Sequence, residues 1–546
     1  MPESVSPVTS AGPVDETQRR GPGPTGSFRK LLVQDCGKYV LSQGALVVNG
    51  LVLIPALTHL FPPAVYGDYV LCSSFVNLGM LALSGWLAQG TLRFYPAYER
   101  DGREQFFLDG TATVALIAAG LAAIVGVPVI LVLAHLIRAE LAQLLWFTLP
   151  VTLAYSLYYV FSIYLRSARR LALYVRTQIA GAIIQPGLGL LALLVWRDIR
   201  AYFIVWLLSL CALNAWIWLR LKPRPFWLRK LREFSAGRLF AFGFPLVLSQ
   251  LLTQVLLFAD RYILEAVRNP REVGLYSLGF TVGQLPVNML FNIEMAALYP
   301  LLMRSWERGS PEEAVRDNGV GVRYYFLIVI PSLVGLCLLS RSIVSLFSSR
   351  EYSAASTVVP WVATSFFLSG LSQFPLLYTQ LLKKPAIQTW VMAFAAVENV
   401  VLNLILIPRY GYYGAAVALL LSMVVLNIVS WTIGAKLLPI SLPFVSLGRA
   451  AVCTGFMAAF LWACMSFGHS TGRARDLWLI PPAILVYFAV LYLSGEYEPG
   501  ERAAIRRFLH GITRRRGRET RLQEGAELAT HHRDAGAHRQ GEEPSI

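Results

Sequence analysis

The stretch VENVVLNLILIPRYGYYGAAVALLLS, Val397–Ser422, decides the class of this protein. It is apolar enough to sit largely within a lipid bilayer, yet it carries Glu398, Asn399 and Asn403 in its first two turns. Apolar runs of this kind recur along most of the 546 residues, of which 55% are hydrophobic and only 15% charged. The mean hydropathy is +0.54. A soluble chain of this length needs more polar surface than that. The runs are long enough to cross hydrocarbon. Lipid offers no partner to an exposed backbone N–H, so the spans are helical. Period-two alternation is missing, which argues against a barrel.

A window of about 19–20 residues picks out about fourteen transmembrane helices, the first centred near residue 50 and the last near 485. The expected organisation is an all-α polytopic protein with two pseudo-symmetric six-helix lobes and two further helices. Residues 1–30, rich in Pro, Gly and Ser, read as a disordered cytoplasmic arm without an apolar signal region. Residues 31–221 hold helices 1–6, and 222–238 form a basic cytoplasmic linker. Residues 239–437 hold helices 7–12, and 438–496 helices 13 and 14. In 497–546, Ile505, Phe508, Leu509 and Ile512 recur at helical spacing among arginines. They read as an amphipathic helix on an anionic leaflet, followed by a disordered tail.

With both termini cytoplasmic, most of the 48 Lys and Arg fall in inner loops and tails, as the positive-inside rule requires. The net charge of +16 then needs no nucleic-acid partner, because the basic residues are spread over loops instead of gathered on one face. The expected location is the cytoplasmic (inner) membrane.

The chain also repeats itself. VYGDYVL (65–71) is echoed by EVGLYSL (272–278), RFYPAYERDGR (93–103) by LYPLLMRSWERG (298–309), and RSARRLALY (166–174) by LLKKPAIQTW (381–390). The offsets are all roughly 204–215 residues, or six helices. An even number of helices leaves the halves in the same orientation, related by an axis along the membrane normal, as in transporters with parallel repeats.

Charge at bilayer depth costs about 2.5–3.5 kcal/mol for Asp, Lys or Arg at a helix centre, so such a residue faces a cavity or a partner. Glu398 is the deepest acid, near the middle of the eleventh helix, and Asn399 and Asn403 share a face four residues apart. Glu294 lies in the eighth helix with Asn288 and Asn292 nearby. The functional reading makes the four asparagines walls of a central cavity, and Glu398 and Glu294 ion or proton coupling sites. The structural reading is hydrogen bonding between helices, or pairing of Glu294 with Arg304 or Arg323. At inner helix ends stand Arg93, Arg166, Arg169, Arg170, Arg176, Arg323, Lys383 and Lys384. Guanidinium groups bind phosphate through paired donors; Arg93, Arg176 and Arg323 are the candidates for a phosphate-bearing substrate, against the plainer role of setting topology. Asp260 and Arg261 read as a local ion pair, with an outer gate as the sharper alternative.

Pro186, Pro245, Pro286 and Pro375 fall inside spans, where each removes a backbone hydrogen bond and permits bending. The six cysteines are scattered without a CxxC pair, so no metal site or disulfide framework is read. No GKS/T phosphate loop, HExxH or Ser-His-Asp set is present, and no loop is long enough for an enzymatic domain; an enzyme is not expected.

IPRYGYYGAAVA, preceded by the asparagine of VENVVLN, resembles the N…IP-x-x-G-x-x-G-A-A segment of polysaccharide transporters, as do VYGDYVL and ADRYIL…VGLYSLG. The chain is similar, over about Leu31–Glu496, to Wzx-type O-antigen and exopolysaccharide flippases of the multidrug/oligosaccharidyl-lipid/polysaccharide (MOP) exporter superfamily. That resemblance implies a two-lobed bundle carrying undecaprenyl-pyrophosphate-linked oligosaccharide between leaflets by alternating access. No cofactor is implied, only coupling to H⁺ or Na⁺. Membrane lipids and polysaccharide polymerase or export proteins would be the partners. The ERDGR stretch (99–103) matches the core of the major-facilitator signature, but Tyr95 stands where that signature has Gly.

Two other functions remain open on the residues alone. A cation or drug antiporter on the same fold would want an acid-lined cavity. A scaffold for a glycan-synthesis complex would want no cavity at all.

Overall fold

The computed structural model describes residues 52–225, 230, 233–439, 442–467 and 474–497. The N-terminal arm, Cys36, the amphipathic segment with its tail, and most of the first expected span lie outside these residues; 52–60, at that span's end, are helical. No strand occurs among the described residues. Twelve of their helices are long and apolar enough to cross a membrane, thirteen if a 3-10 segment, Arg350–Thr357, and the helix after it, bent by 45°, count as one span. That agrees with about fourteen spans.

The helices are α1 (Pro63–Arg100), α2 (Glu104–Leu136), α3 (Ala139–Ser167), α4 (Leu171–Trp196), α5 (Ile199–Leu221), α6 (Ala236–Val267), α7 (Pro270–Glu307) and α8 (Pro311–Leu338). The short α9 (Ser340–Phe347) follows, then α10 (Val359–Leu381), α11 (Pro385–Tyr410), α12 (Tyr412–Leu437), α13 (Phe444–Phe467) and α14 (Ile480–Leu493). The repeat noted in the sequence has a structural echo: α1 and α7 are both 38 residues long, and each carries a Tyr-Pro step near its end, at Pro96 and Pro300. At 1.5 Å per residue, each is about 57 Å long and outruns a hydrocarbon core of about 30 Å.

Two compact units emerge. The first comprises residues up to Val282 with Ile343–Ser365 and Lys383–Val429. Its spine is α1 packed on α3 and α6, with α5 against α3 and α4, and α11 against α6. The α1–α6 seam is close because glycine removes side chains from it. A Cβ on Gly243 would stand 2.1 Å from the Trp86 carbonyl oxygen, and one on Gly90 would meet Leu239. Small residues let helix backbones approach in membranes. By contrast α2 turns Leu121, Ile124, Val125 and Val132 outward, exposed, the surface lipid tails would cover.

The turn inside the opening stretch belongs to this unit. Gly411 ends α11 at φ +59, where side chains are disfavoured, and a Cβ there would strike the Glu272 carboxylate. Glu272 accepts from the Tyr412 backbone N–H at 3.0 Å, capping α12. Arg268 donates to the Ile407 and Pro408 carbonyls at the end of α11. Part of the orphan groups at both helix ends is thus met.

The second unit comprises Gly283–Ser342, Phe366–Leu382 and the chain from Ser430. Leu327 of α8 meets Ala450, Cys453, Met457 and Leu461 of α13 and Ala483, Tyr487 and Leu491 of α14 in one apolar cluster. Tyr487 donates its hydroxyl to the Leu327 carbonyl at 2.7 Å. In a second layer Tyr325 stacks on Phe367 and meets Phe291 and Phe374 edge-on.

Candidate functional site

Three arginines of one turn and one from the next hairpin gather at one end of the first unit. The chain reverses between α3 and α4 through Arg169, whose backbone is left-handed at φ +51. Arg169, Arg170 and Arg176 line an open hollow of about 390 Å³ with Arg220 from the last turn of α5. No carboxylate lines it. Paired N–H donors at this density suit a phosphate or diphosphate. Arg220 escaped the sequence reading: it lies 44 positions beyond Arg176, and no local spacing announces that packing α5 on α4 brings them together.

Next to the hollow, α3, α4 and α5 enclose a cleft of about 290 Å³ lined by tyrosines, Trp206, Gln178 and Gln185, with Arg166 at its rim. Arg93, the other favoured arginine, is exposed on α1 and takes no part in the lining of either space.

Asn399 and Asn403 are buried. Asn399 donates to Ser422 Oγ of α12 at 3.1 Å, and Asn403 donates to the Asn399 side-chain and backbone oxygens, both at 2.9 Å. They join α11 to α12. Beside them Glu398 is half-buried; Ser422 also hydrogen-bonds its carboxyl, while Oε2 is buried without a hydrogen bond.

In the second unit, Glu294 is half-buried, and both its carboxylate oxygens are buried without a hydrogen bond. Asn288 is half-buried and Asn292 exposed on the same helix. Arg323 turns to Glu496, donating Nε–H to Oε1 at 2.8 Å and Nη2–H to the backbone carbonyl at 2.7 Å. Arg449 holds Oε2 at 2.9 Å and Ser446 reaches Oε1. Burial pushes the Glu496 carboxyl up, but the hydrogen bonds from Ser446, Arg323 and Arg449 more than offset it and hold it below the usual carboxylate range. Arg323 therefore serves as a tie between α8 and the residues just after α14.

Asp260 and Arg261 are 1% and 2% exposed, which makes them an internal pair. Arg261 Nη1 meets Asp260 Oδ1 at 3.0 Å, Tyr276 donates to the other carboxylate oxygen, and the guanidinium lies 4.1 Å over the Phe280 ring. A separate ion cluster joins Arg138, ahead of α3, to Asp68 of α1 at 2.5 Å and Glu265 of α6 at 2.7 Å. Neither Arg138 nor Glu496 was singled out in the sequence, because each sits at a helix end where charge is ordinary.

The fold is similar to those of solved membrane transport proteins. The fold resembles a solved structure of the lipid II flippase MurJ in an inward closed conformation, with a TM-score of 0.63, 14% identity, and coverage of 84% of this chain and 98% of that one. An inward-facing multidrug-resistance MATE transporter of the MOP superfamily gives a TM-score of 0.54 at 14% identity, over 72% of this chain and 95% of that one. This is a polytopic helical membrane protein with the MOP exporter fold. Residues 32–306 match the family described as polysaccharide biosynthesis protein. The chain belongs to that family, and the resemblance read from its motifs holds.

Among curated proteins it is 26% identical over 193 residues to the "probable low-salt glycan biosynthesis flippase" Agl15 of Haloferax volcanii, covering 35% of this chain and 40% of that protein. It is 24% identical over 182 residues to a protein named as an O-antigen transporter in Shigella flexneri, covering 33% of this chain and 43% of that one. The matched stretches thus span less than half of these relatives.

Proposed function

We propose that the protein is a flippase that moves a lipid-linked oligosaccharide, carried on undecaprenyl pyrophosphate, across the cytoplasmic membrane for cell-surface polysaccharide synthesis, by alternating access. The observation that carries this reading is the hollow lined by Arg169, Arg170, Arg176 and Arg220 with no acid among them. A diphosphate headgroup cannot enter hydrocarbon unaided, since burying its charge unpaired is prohibitive. A cationic recess at a helix-bundle end collects it. With both termini cytoplasmic, the α3–α4 turn faces the cytoplasm, the side on which such substrates would be loaded. An antiporter of organic cations would need the opposite charge at this place. The family and the relatives named as flippases point the same way. Membrane lipids and polysaccharide polymerase or export proteins are the partners this reading supplies, with H⁺ or Na⁺ as the coupling ion.

The test is a deletion strain in which lipid-linked repeat units are assayed by leaflet. Accumulation in the cytoplasmic leaflet is expected, relieved by the wild-type gene and not by Arg176→Glu with Arg220→Glu at equal protein level. Export unaffected by deletion sinks the reading. Full rescue by the double variant removes the hollow from it.

A further inference from the structure

The cleft beside the arginine hollow is unusual for its depth. Tyr155 lies near the middle of α3 and Trp206 in the middle third of α5, so neither belongs to the aromatic belts that membrane helices place at their ends. Their rings lie 6.2 Å apart, and Tyr158 stacks 6.4 Å from Tyr155. The rings leave a cavity of about 290 Å³ instead of filling it, close to the lower bound of about 300 Å³ for small-ligand sites.

The polar groups of the cleft are already oriented. Tyr158 donates to Gln178 Oε1 at 2.5 Å, and Gln178 Nε2 donates to the Tyr174 hydroxyl at 3.2 Å. Gln185 Nε2 donates to Tyr202 at 3.0 Å. Each amide nitrogen carries a second N–H, and each hydroxyl oxygen keeps acceptor capacity. Rings with flat apolar faces beside amides that both donate and accept match a pyranose, which shows C–H groups on its faces and hydroxyls around its edge. A lipid tail would leave the second N–H of each amide and the spare acceptor capacity of the hydroxyls unused.

We propose that the α3–α4–α5 cleft is a saccharide subsite, holding the first sugar of a glycan whose diphosphate sits on Arg169, Arg170, Arg176 and Arg220. Arg166, which lines the cleft, lies three residues before Arg169, which lines the hollow, so sugar and phosphate would be read on either side of the α3–α4 turn. The proposal rests on the flippase reading and adds to it a sugar specificity element.

The test uses the full chain in phospholipid nanodiscs and three probes: a short polyprenyl diphosphate bearing one glucose, the same polyprenyl diphosphate without sugar, and inorganic pyrophosphate. The wild-type protein should bind the glycosylated probe about tenfold more tightly than the bare one, the effect of a stacked, hydrogen-bonded ring. Tyr155→Leu with Trp206→Leu should erase that preference while leaving the bare probe's affinity unchanged. Arg176→Ala should weaken both lipid probes alike. Equal affinity of the wild-type protein for the two lipid probes overturns the saccharide subsite and leaves the flippase reading standing; this comparison needs no variant to fold. A double variant of the cleft aromatics, Tyr155→Leu with Trp206→Leu, that weakens both lipid probes equally overturns it too. If neither lipid probe binds, the headgroup reading falls with it. If pyrophosphate alone competes as well as the glycosylated probe, the hollow is a bare phosphate site and the cleft plays no part.

Discussion

Arg261 shows how much a single side chain can carry. Its charge is enclosed by Asp260, Tyr276 and the Phe280 ring, and its Nε has no hydrogen-bond partner. Removing one member of a buried pair costs about 3–5 kcal/mol, because the other charge stays buried and uncompensated. Arg261→Ala should therefore lower the thermal midpoint in detergent sharply, and Arg261→Ala with Asp260→Asn should recover part of the loss. A midpoint equal to wild type in the single variant would show that the pair contributes nothing. Glu496 offers a pH counterpart. Its carboxyl is held below the usual range, so its stabilising contribution is complete above the unfolded value of about 4.3 and is lost as pH falls through the lower folded value. The gap in thermal midpoint between wild type and Glu496→Gln should be widest near neutral pH and close below about pH 4. A gap independent of pH would mean that Arg323 and Arg449 do not depend on its charge.

At the scale of elements, the α1–α6 seam separates two meanings of glycine. Alanine is better than glycine in a helix interior by about 1 kcal/mol. Gly187 of α4 has open space around it, so Gly187→Ala should be neutral or stabilising. Gly243 faces the Trp86 carbonyl, a backbone atom that cannot swing aside. Gly243→Ala should cost on the order of 1–3 kcal/mol from overpacking, despite the better propensity, as read by detergent unfolding. Equal stability of both variants would show that α1 and α6 part easily. The Asn399–Asn403 pair belongs to the same scale. Its spacing of four was legible in the sequence, and so was the choice between cavity and helix contact. What the sequence lacked was Ser422: it lies across a turn at Gly411 whose geometry, with Glu272 as cap, sets which faces of α11 and α12 meet.

For the molecule as a whole, the proposed transport calls for a coupling ion if it is to run uphill, and the two acids with buried carboxyl oxygens are the candidates to engage it. Glu294 has both oxygens buried without a hydrogen bond, and Glu398 has one. Glu294→Gln and Glu398→Gln, assayed in vesicles across a range of pH, should flatten the pH dependence of glycan translocation in at least one case. Identical profiles in both would make the two acids structural. The approximate number of spans, their helical nature and the family were readable from the chain, since each follows from hydropathy, period or short motif, which are properties of neighbours in sequence. The arginine hollow was half readable: Arg169, Arg170 and Arg176 cluster in the chain, while Arg220 joins them only because α5 lies against α4. The aromatic cleft was invisible, because Tyr155, Gln178 and Trp206 come from three helices and look in sequence like ordinary membrane aromatics and amides. The sequence alone determined which segments enter the bilayer, because transfer into lipid depends on the composition of each segment by itself. Only the tertiary structure decided which polar side chains are tied to protein partners and which line a space, because that depends on the faces that packing brings together, and no local pattern encodes them.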